Sequence, residues 1–217
     1  MALGAIIRRL AGPLERPLCD AYRALFMDVR RCAQQLQAAI PVDCHLIDVG
    51  GGDGAVLDAI LRMRPDVTAT MLDLKDAVGK FLTPEIASRI EIHTRTSIDA
   101  YLTQGGAPAA CILVSDVVHH VPSEARMAFL RDCIRLMQPG GTLIIKDVAP
   151  GHLVSVASVY ADRYITGDRH VQLIAPVDLV RLMRGLGLNA SEALLAPMER
   201  PNYAFAFRVA DATPPRA

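Results

Sequence analysis

The sequence predicts an α/β protein built as a doubly wound, mostly parallel seven-stranded sheet with helices on both faces. Three observations carry this. From residue 42 onward, short apolar runs alternate with amphipathic stretches, the pattern of parallel strands joined by crossover helices. A glycine cluster, Gly50-Gly51-Gly52 with Gly54, stands at the corner between the first strand and the first crossover helix. Two runs near the C-terminus, joined by a Pro/Asn turn, read as an antiparallel pair that closes the sheet.

The elements follow in order. Leu18, Tyr22, Leu25, Phe26 and Val29 recur at spacings of three and four, which predicts a helix continuing toward Ile40 until Pro41 breaks it. His45–Val49 is the first buried strand; after the glycine turn, a helix runs from about Ala55 to Arg62. Thr68–Leu72 is the second strand, and Thr83, Pro84 and Glu85 match an N-cap, a first helical position and an acidic first turn. Ile90–His93 and Ala110–Val114 are the third and fourth strands. Ser123 is expected to cap a helix reaching Met137, with Ala125, Phe129, Cys133 and Leu136 on its buried side. Pro139-Gly140-Gly141 turns the chain into the fifth strand, Thr142–Lys146. Pro176 opens a last helix to Leu186, and Ser191–Ala196 with Tyr203–Val209 forms the closing pair. Residues 1–41 are then a helical cover, 42–210 the sheet domain with an inserted lid at about 151–170, and 211–217 a frayed tail.

Composition narrows the function. The length of 217 residues suits one domain. Lys+Arg and Asp+Glu number 23 each, so no net charge gathers polyanions, and nucleic acid or a polybasic membrane patch is not expected as a partner. No apolar run nears the roughly 20 residues that cross a bilayer, so no integral membrane segment is expected. Five cysteines (19, 32, 44, 111, 133) stand singly without a CxxC pair. That pattern predicts a reducing, cytoplasmic location and neither a disulfide framework nor a metal site. The start, MALGAIIRRLAG, has its arginines after the apolar residues and no small-residue cleavage site, which reads against a signal peptide.

A doubly wound sheet binds ligands outside the carboxyl ends of its strands, near the reversal in strand order. The glycine turn lies there, opening a helix whose unpaired N–H groups point into the turn. Asp73, 19 residues beyond Gly54, ends the second strand where a carboxylate can accept both hydroxyls of a ribose. Gly50, Gly52 and Ala55 also satisfy GxGxx(G/A), so by spacing alone a nicotinamide cofactor stays open.

Four segments taken together are more specific. DVGGGDG, Asp73, CILVSDVVHHVP through the fourth strand and PGGTLIIKDV into the fifth resemble, in order and spacing over roughly residues 42–210, the class I S-adenosylmethionine-dependent methyltransferases of the small-molecule type. The resemblance implies a Rossmann-like methyltransferase fold that binds S-adenosyl-L-methionine. It implies that Gly50, Gly51, Gly52 and Gly54 line the methionine and ribose part of the cofactor, with Asp48 beneath the turn near its ammonium end. Asp73 would take the ribose hydroxyls, Leu74 would lie against the adenine, and Ser115 and Asp116 would border the methionine portion. After the third strand the family often has Gly-Asp; this chain reads Arg95-Thr96-Ser97-Ile98, which leaves Ser97 or Asp99 for the adenine amino group.

Methyl transfer from a sulfonium is an in-line displacement, and a base is needed only when the acceptor must lose a proton. His119 and His120 follow the fourth strand, and imidazole suits a base near neutral pH. By resemblance to plant-type small-molecule O-methyltransferases, His119 matches the base position; His120 is expected to be mainly structural. Asp147 is expected to orient the substrate or the histidine, or else to form a solvated pair with Lys146. His120, with Tyr160, Arg163 and Tyr164 of the lid and Tyr22 and Phe26 of the N-terminal helix, completes the substrate-facing candidates, ordinary core packing being the alternative for the last two. O-methylation of a small-molecule hydroxyl leads. N-methylation without a base, an NAD(P)-dependent oxidoreductase and a non-catalytic cofactor-binding protein remain open, as does a homodimer.

Overall fold

A computed structural model describes residues 27–161, 163, 170–191, 198 and 201–209. Asp28 caps the first described helix, α1 (Val29–Gln37), its carboxylate accepting the Arg31 N–H, while Cys32, Ala33 and Leu36 turn inward. Then come β1 (His45–Val49), α2 (Ala55–Met63), β2 (Thr68–Leu72), α3 (Pro84–Ala87), β3 (Ile90–His93), α4 (Ile98–Thr103) and β4 (Ala109–Ser115). A single 3-10 turn, Val118–His120, leads to α5 (Arg126–Arg135), β5 (Met137–Val148) and α6 (Leu153–Ala161). The chain ends in α7 (Pro176–Gly185), β6 (Leu188–Ser191) and β7 (Asn202–Val209).

The seven strands are ordered β3-β2-β1-β4-β5-β7-β6, with β7 antiparallel to both its neighbours and the other pairs parallel. The order reverses between β1 and β4, which places the ligand crevice at their carboxyl ends. Side chains alternate between the two faces. Leu46, Met71, Cys111, Leu113 and Ile144 pack with α1, α2 and α3; Ile47, Leu72, Ile112, Val114, Leu143 and Ile145 pack with α4, α5 and α7. Fully buried residues such as Leu36, Leu46 and Ile112 each contribute roughly 1.5–3 kcal/mol of apolar burial. Arg64 ties down the chain that leaves α1, donating to Gln37 O, Ile40 O and Pro41 O while paired with Asp66. Cys32, Cys44, Cys111 and Cys133 are buried free thiols.

Two expected elements differ. The helix after Pro122 starts at Arg126, not Ser123, because the Ser123 hydroxyl turns to Glu124 and Ala125 takes the cap position. Cys133 and Leu136 are buried as expected with Phe129 packed against them, and Arg126 and Leu130 are buried on the same helix. Strand β6 is described over Leu188–Ser191 and so starts earlier than expected, the α7–β6 connection turning at Gly187 into the sheet; the rest of the expected run, 192–196, lies outside the described residues. Helix α4 was not anticipated; its signal is Ser97, whose hydroxyl accepts the Ala100 N–H. Among the described residues no helix is long and apolar enough to cross a membrane.

Candidate active site

The glycine turn is shaped by close approach. Gly50 has φ +73°, and a Cβ there would lie 2.6 Å from Val117 Cγ2, so only glycine lets the segment leaving β4 pack against the turn. Gly52, at φ +55°, is the opposite case: a Cβ would meet nothing nearer than Gly50 O at 3.9 Å, so its surroundings are open. Gly51 lies over the carboxylate of Asp48, and Gly54 forms the N-cap of α2 against Leu82. A loop clasps the turn from above, through Gly79 N–H to Gly52 O and Phe81 N–H to Asp53 O.

Two carboxyl groups flank this turn. Asp73 accepts the Gly52 N–H at 2.9 Å through one oxygen and the Lys75 N–H at 2.8 Å through the other, and each oxygen keeps a lone pair for a hydroxyl. Asp48 is buried beneath the turn; burial first, and the charge of Asp73 second, push its carboxyl up to about 7. Leu74 is 73% exposed, an apolar side chain beside Asp73 that a flat ring would cover. Open space at Gly52, a bidentate acid at Asp73 and a buried acid at Asp48 fit the ribose, the methionine arm and the ammonium of S-adenosylmethionine. Ser97 is exposed and its hydroxyl caps α4.

The second half of the site stands at the ends of β4 and β5. His119 Nδ1 lies 2.5 Å from Asp147 Oδ1, and the His119 backbone N–H donates to Asp147 Oδ2 at 3.1 Å. Both side chains are buried. Burial alone would raise the Asp147 carboxyl; the charge and hydrogen bond of His119, with help from the Val148 N–H and Lys146, outweigh it and hold the group below the carboxylate range. An ionised Asp147 favours the tautomer with the proton on Nδ1 and the ring lone pair on Nε2. Lys146 and Asp147 are therefore not a solvated pair: they point to opposite faces, and Lys146 Nζ sits 2.6 Å from both oxygens of Asp116. Asp116 holds φ +58°, and Ser115 Oγ lies 3.4 Å from its Oδ2. Ligand atoms of Asp116, His119 and Asp147 fall within 4.8 Å of one another, close enough to share a cation, yet each carboxylate already accepts from Lys146 or His119.

The structure thus gathers Asp48, the four glycines and Asp73 around one turn, and Ser115, Asp116, His119 and Asp147 around another, joined through Val117. His120 stacks obliquely on His119, with ring centres 4.1 Å apart. Tyr160 and Arg163 are exposed. Tyr22, Phe26 and Tyr164 lie outside the described residues. Three supporting residues were missed. Lys146 was signalled by a charge inside an apolar strand. Arg126 bonds Val121 O and Gln172 O, while the Gln172 N–H donates to His119 O, and nothing in the sequence marked that clamp. Tyr203 faces Asp147 across the β5–β7 ladder and reaches Ile174 O.

A glycine turn flanked by two acids, with a histidine–carboxylate pair beside it at the carboxyl ends of a doubly wound sheet, makes a crevice suited to a nucleoside-type ligand. The chain belongs to the methyltransferase domain family, whose model matches residues 6–193. This bears out the resemblance read from the sequence. Among its relatives, the aclacinomycin 10-hydroxylase RdmB of Streptomyces purpurascens is 28% identical over 143 residues, covering 61% of this chain and 36% of the relative. The 2,7-dihydroxy-5-methyl-1-naphthoate 7-O-methyltransferase of Streptomyces carzinostaticus is 27% identical over 111 residues, 49% of this chain and 32% of the relative. The chain spans about a third of the length of these two proteins. An O-methyltransferase family 2 protein from Planctomyces limnophilus, solved with apigenin, shares the fold at TM-score 0.68 with 20% identity, over 88% of this chain and 60% of the other.

Proposed function

We propose that this chain carries the methyl group of S-adenosylmethionine to a hydroxyl of a small molecule, with His119 as the base. One observation supports this above the rest: the buried His119–Asp147 pair, which sets the imidazole tautomer at the end of β4. The bound donor supplies an electrophilic methyl on a sulfonium. The chain's part is to hold it and to take a proton. Gly50, Gly51, Gly52 and Gly54 border its methionine arm and ribose, Asp48 meets the ammonium, Asp73 the ribose hydroxyls, Leu74 the adenine, and Ser115 with Asp116 the methionine portion. His119 accepts the hydroxyl proton at Nε2 as the new O–C bond forms, and Asp147 balances the imidazolium. Burial of the pair keeps competing water out.

The acceptor is a small molecule, in keeping with the zero net charge and a fourth-strand segment, SDVVHH, unlike the (N/D)PP(Y/F) loop of nucleic-acid base methylation. His120, Tyr160 and Arg163 border it in this reading, and the protein works in the cytoplasm, as a monomer or a homodimer. Calorimetric titration with S-adenosylhomocysteine tests the cofactor half, with Asp73→Ala expected to weaken micromolar binding at least tenfold and NAD(P) as the control. Methyl transfer to hydroxylated aromatics tests the other half: His119→Ala should abolish turnover and leave homocysteine-nucleoside binding intact. Unchanged turnover would point to N-methylation or an acidic hydroxyl. A second reading is favoured by the relative named a hydroxylase: the cofactor is held without methyl transfer. A product lacking the added methyl would establish it.

A further inference from the structure

We propose that Lys146 is a positioning residue for His119: its buried ammonium holds the Asp116 carboxylate in a separate ion pair, so that the imidazole faces one carboxylate, Asp147, in place of two. The inference rests on the reading of His119 as the base.

Consecutive residues of a strand point to opposite faces, and at the end of β5 both are charged and buried, Lys146 at 1% exposure and Asp147 at 0%. Each is met by a residue from the segment that leaves β4. Lys146 Nζ takes both oxygens of Asp116 at 2.6 Å; Asp147 Oδ1 takes His119 Nδ1 at 2.5 Å. The main chain repeats the match, with the Asp116 N–H donating to Lys146 O at 2.9 Å and the His119 N–H to Asp147 Oδ2 at 3.1 Å. Asp116 also keeps a left-handed backbone, which persists only where the surroundings hold it. The ammonium clamped between its two oxygens is such a hold.

The two pairs are not insulated from each other, since Asp116, His119 and Asp147 come within 4.8 Å. One positive and two negative side chains, beside a neutral imidazole, give the group a net charge of minus one; protonating His119 brings it to zero. Without Lys146, the partly exposed Asp116 carboxylate and the buried Asp147 would both face the imidazole unneutralised and hold its proton more tightly. A base that keeps its proton cannot take one from a hydroxyl. Among the described residues, the other ionisable groups here are the same in all four proteins. They are His120 on the same turn, Tyr203 on β7, and Arg126 on α5, whose charge is felt at Tyr203 together with those of Asp147 and Asp116. The strap that donates to His119 O, Val171-Gln172-Leu173-Ile174, carries no charge. A purely stabilising ion pair is the competing explanation. Buried pairs are weak stabilisers against apolar replacements, and stabilisation alone predicts nothing about how a neighbouring histidine titrates.

The test follows the His119 ring proton by NMR against pH, in cofactor-free protein, for wild type, Lys146→Met, Asp116→Asn and the double variant. The midpoint should rise by about one pH unit in Lys146→Met, fall in Asp116→Asn, and return to the wild-type value when both charges are removed. The acid limb of kcat/KM should move in the same directions. Identical midpoints in all four proteins would overturn the proposal, and so would a double variant that titrates like Lys146→Met. If Lys146→Met does not fold, Asp116→Asn and the double variant carry the same test, because neither leaves the Asp116 carboxylate unpaired. Turnover that survives His119→Ala would instead refute the base, a result the NMR midpoints do not depend on.

Discussion

If the donor binds as proposed, Asp48 makes its binding a proton-linked event. Its carboxyl is buried under the glycine turn, and burial and Asp73 push it up to about 7, so near neutrality much of the ligand-free protein carries it protonated. In the proposed complex the donor's ammonium arrives beside it and favours the carboxylate, so a proton must leave. With the bound group back in the ordinary carboxylate range, only about a tenth of the free protein is ionised near pH 6, and affinity there should be about tenfold weaker than on the plateau above neutrality. Calorimetric titration with S-adenosylhomocysteine at about pH 6 and about pH 7.5, below the titration of the ligand's own amine, measures the affinities, and buffers of different ionisation enthalpy count the proton released. Asp48→Asn should bind more weakly, with no pH dependence in this range. Equal affinities at both pH values, with an enthalpy independent of buffer, would refute the reasoning. The same raised value acts on folding. In the ligand-free protein the stabilising contribution of the protonated acid is complete below its unfolded value and is lost as pH rises through about 7.

Three other outcomes are expected. Gly52→Ala adds a methyl that meets nothing nearer than 3.9 Å, so thermal unfolding should show a cost on the order of 1 kcal/mol from the positive φ, whereas calorimetry should show S-adenosylhomocysteine binding weakened by about tenfold or more. His45, with ring nitrogens 2.9 Å from Thr68 Oγ1 and Thr70 Oγ1, has its protonation pushed down by burial against a smaller opposite pull from Glu91. Urea unfolding should therefore show stability that is full above the ordinary histidine value and is lost as pH falls through the lower folded value, and His45→Gln should flatten that slope. Finally, the thiols of Cys32, Cys44, Cys111 and Cys133 should react with a chromogenic disulfide reagent only after denaturation.

The central strands were legible because they are buried beyond their first residue and read as largely apolar runs: His45–Val49 and Thr68–Leu72 fall where the runs fall, and the exposed edge strand Ile90–His93 falls where its alternating isoleucines place it. Helix α4 was hidden because six residues, Ile98–Thr103, are too few for a period to stand out, and Ser97 had been read as a cofactor contact. The glycine turn and Asp73 were legible because close backbone approach and a strand-end acid leave a spacing in the sequence. The Lys146–Asp116 pair was not, since it joins residues 30 positions apart and depends on which face of β5 each charge takes. A strand read as ending at Lys146 could not show that Lys146 and Asp147 both lie inside it; the observed strand runs to Val148.

The buried cysteines bear on the chemistry in another way. A sulfonium methyl donor alkylates soft nucleophiles, and among protein side chains the thiolate is foremost. Burial pushes the thiols of Cys44, Cys111 and Cys133 up, and does the same to Cys32, to about 12, although Lys146 pulls the other way. Cys32 lies near enough to the β4–β5 end to feel both Lys146 and Asp116, and it remains a thiol. In a protein that handles an alkylating agent as proposed, these four cysteines are thereby kept inert, and the methyl is left for the substrate.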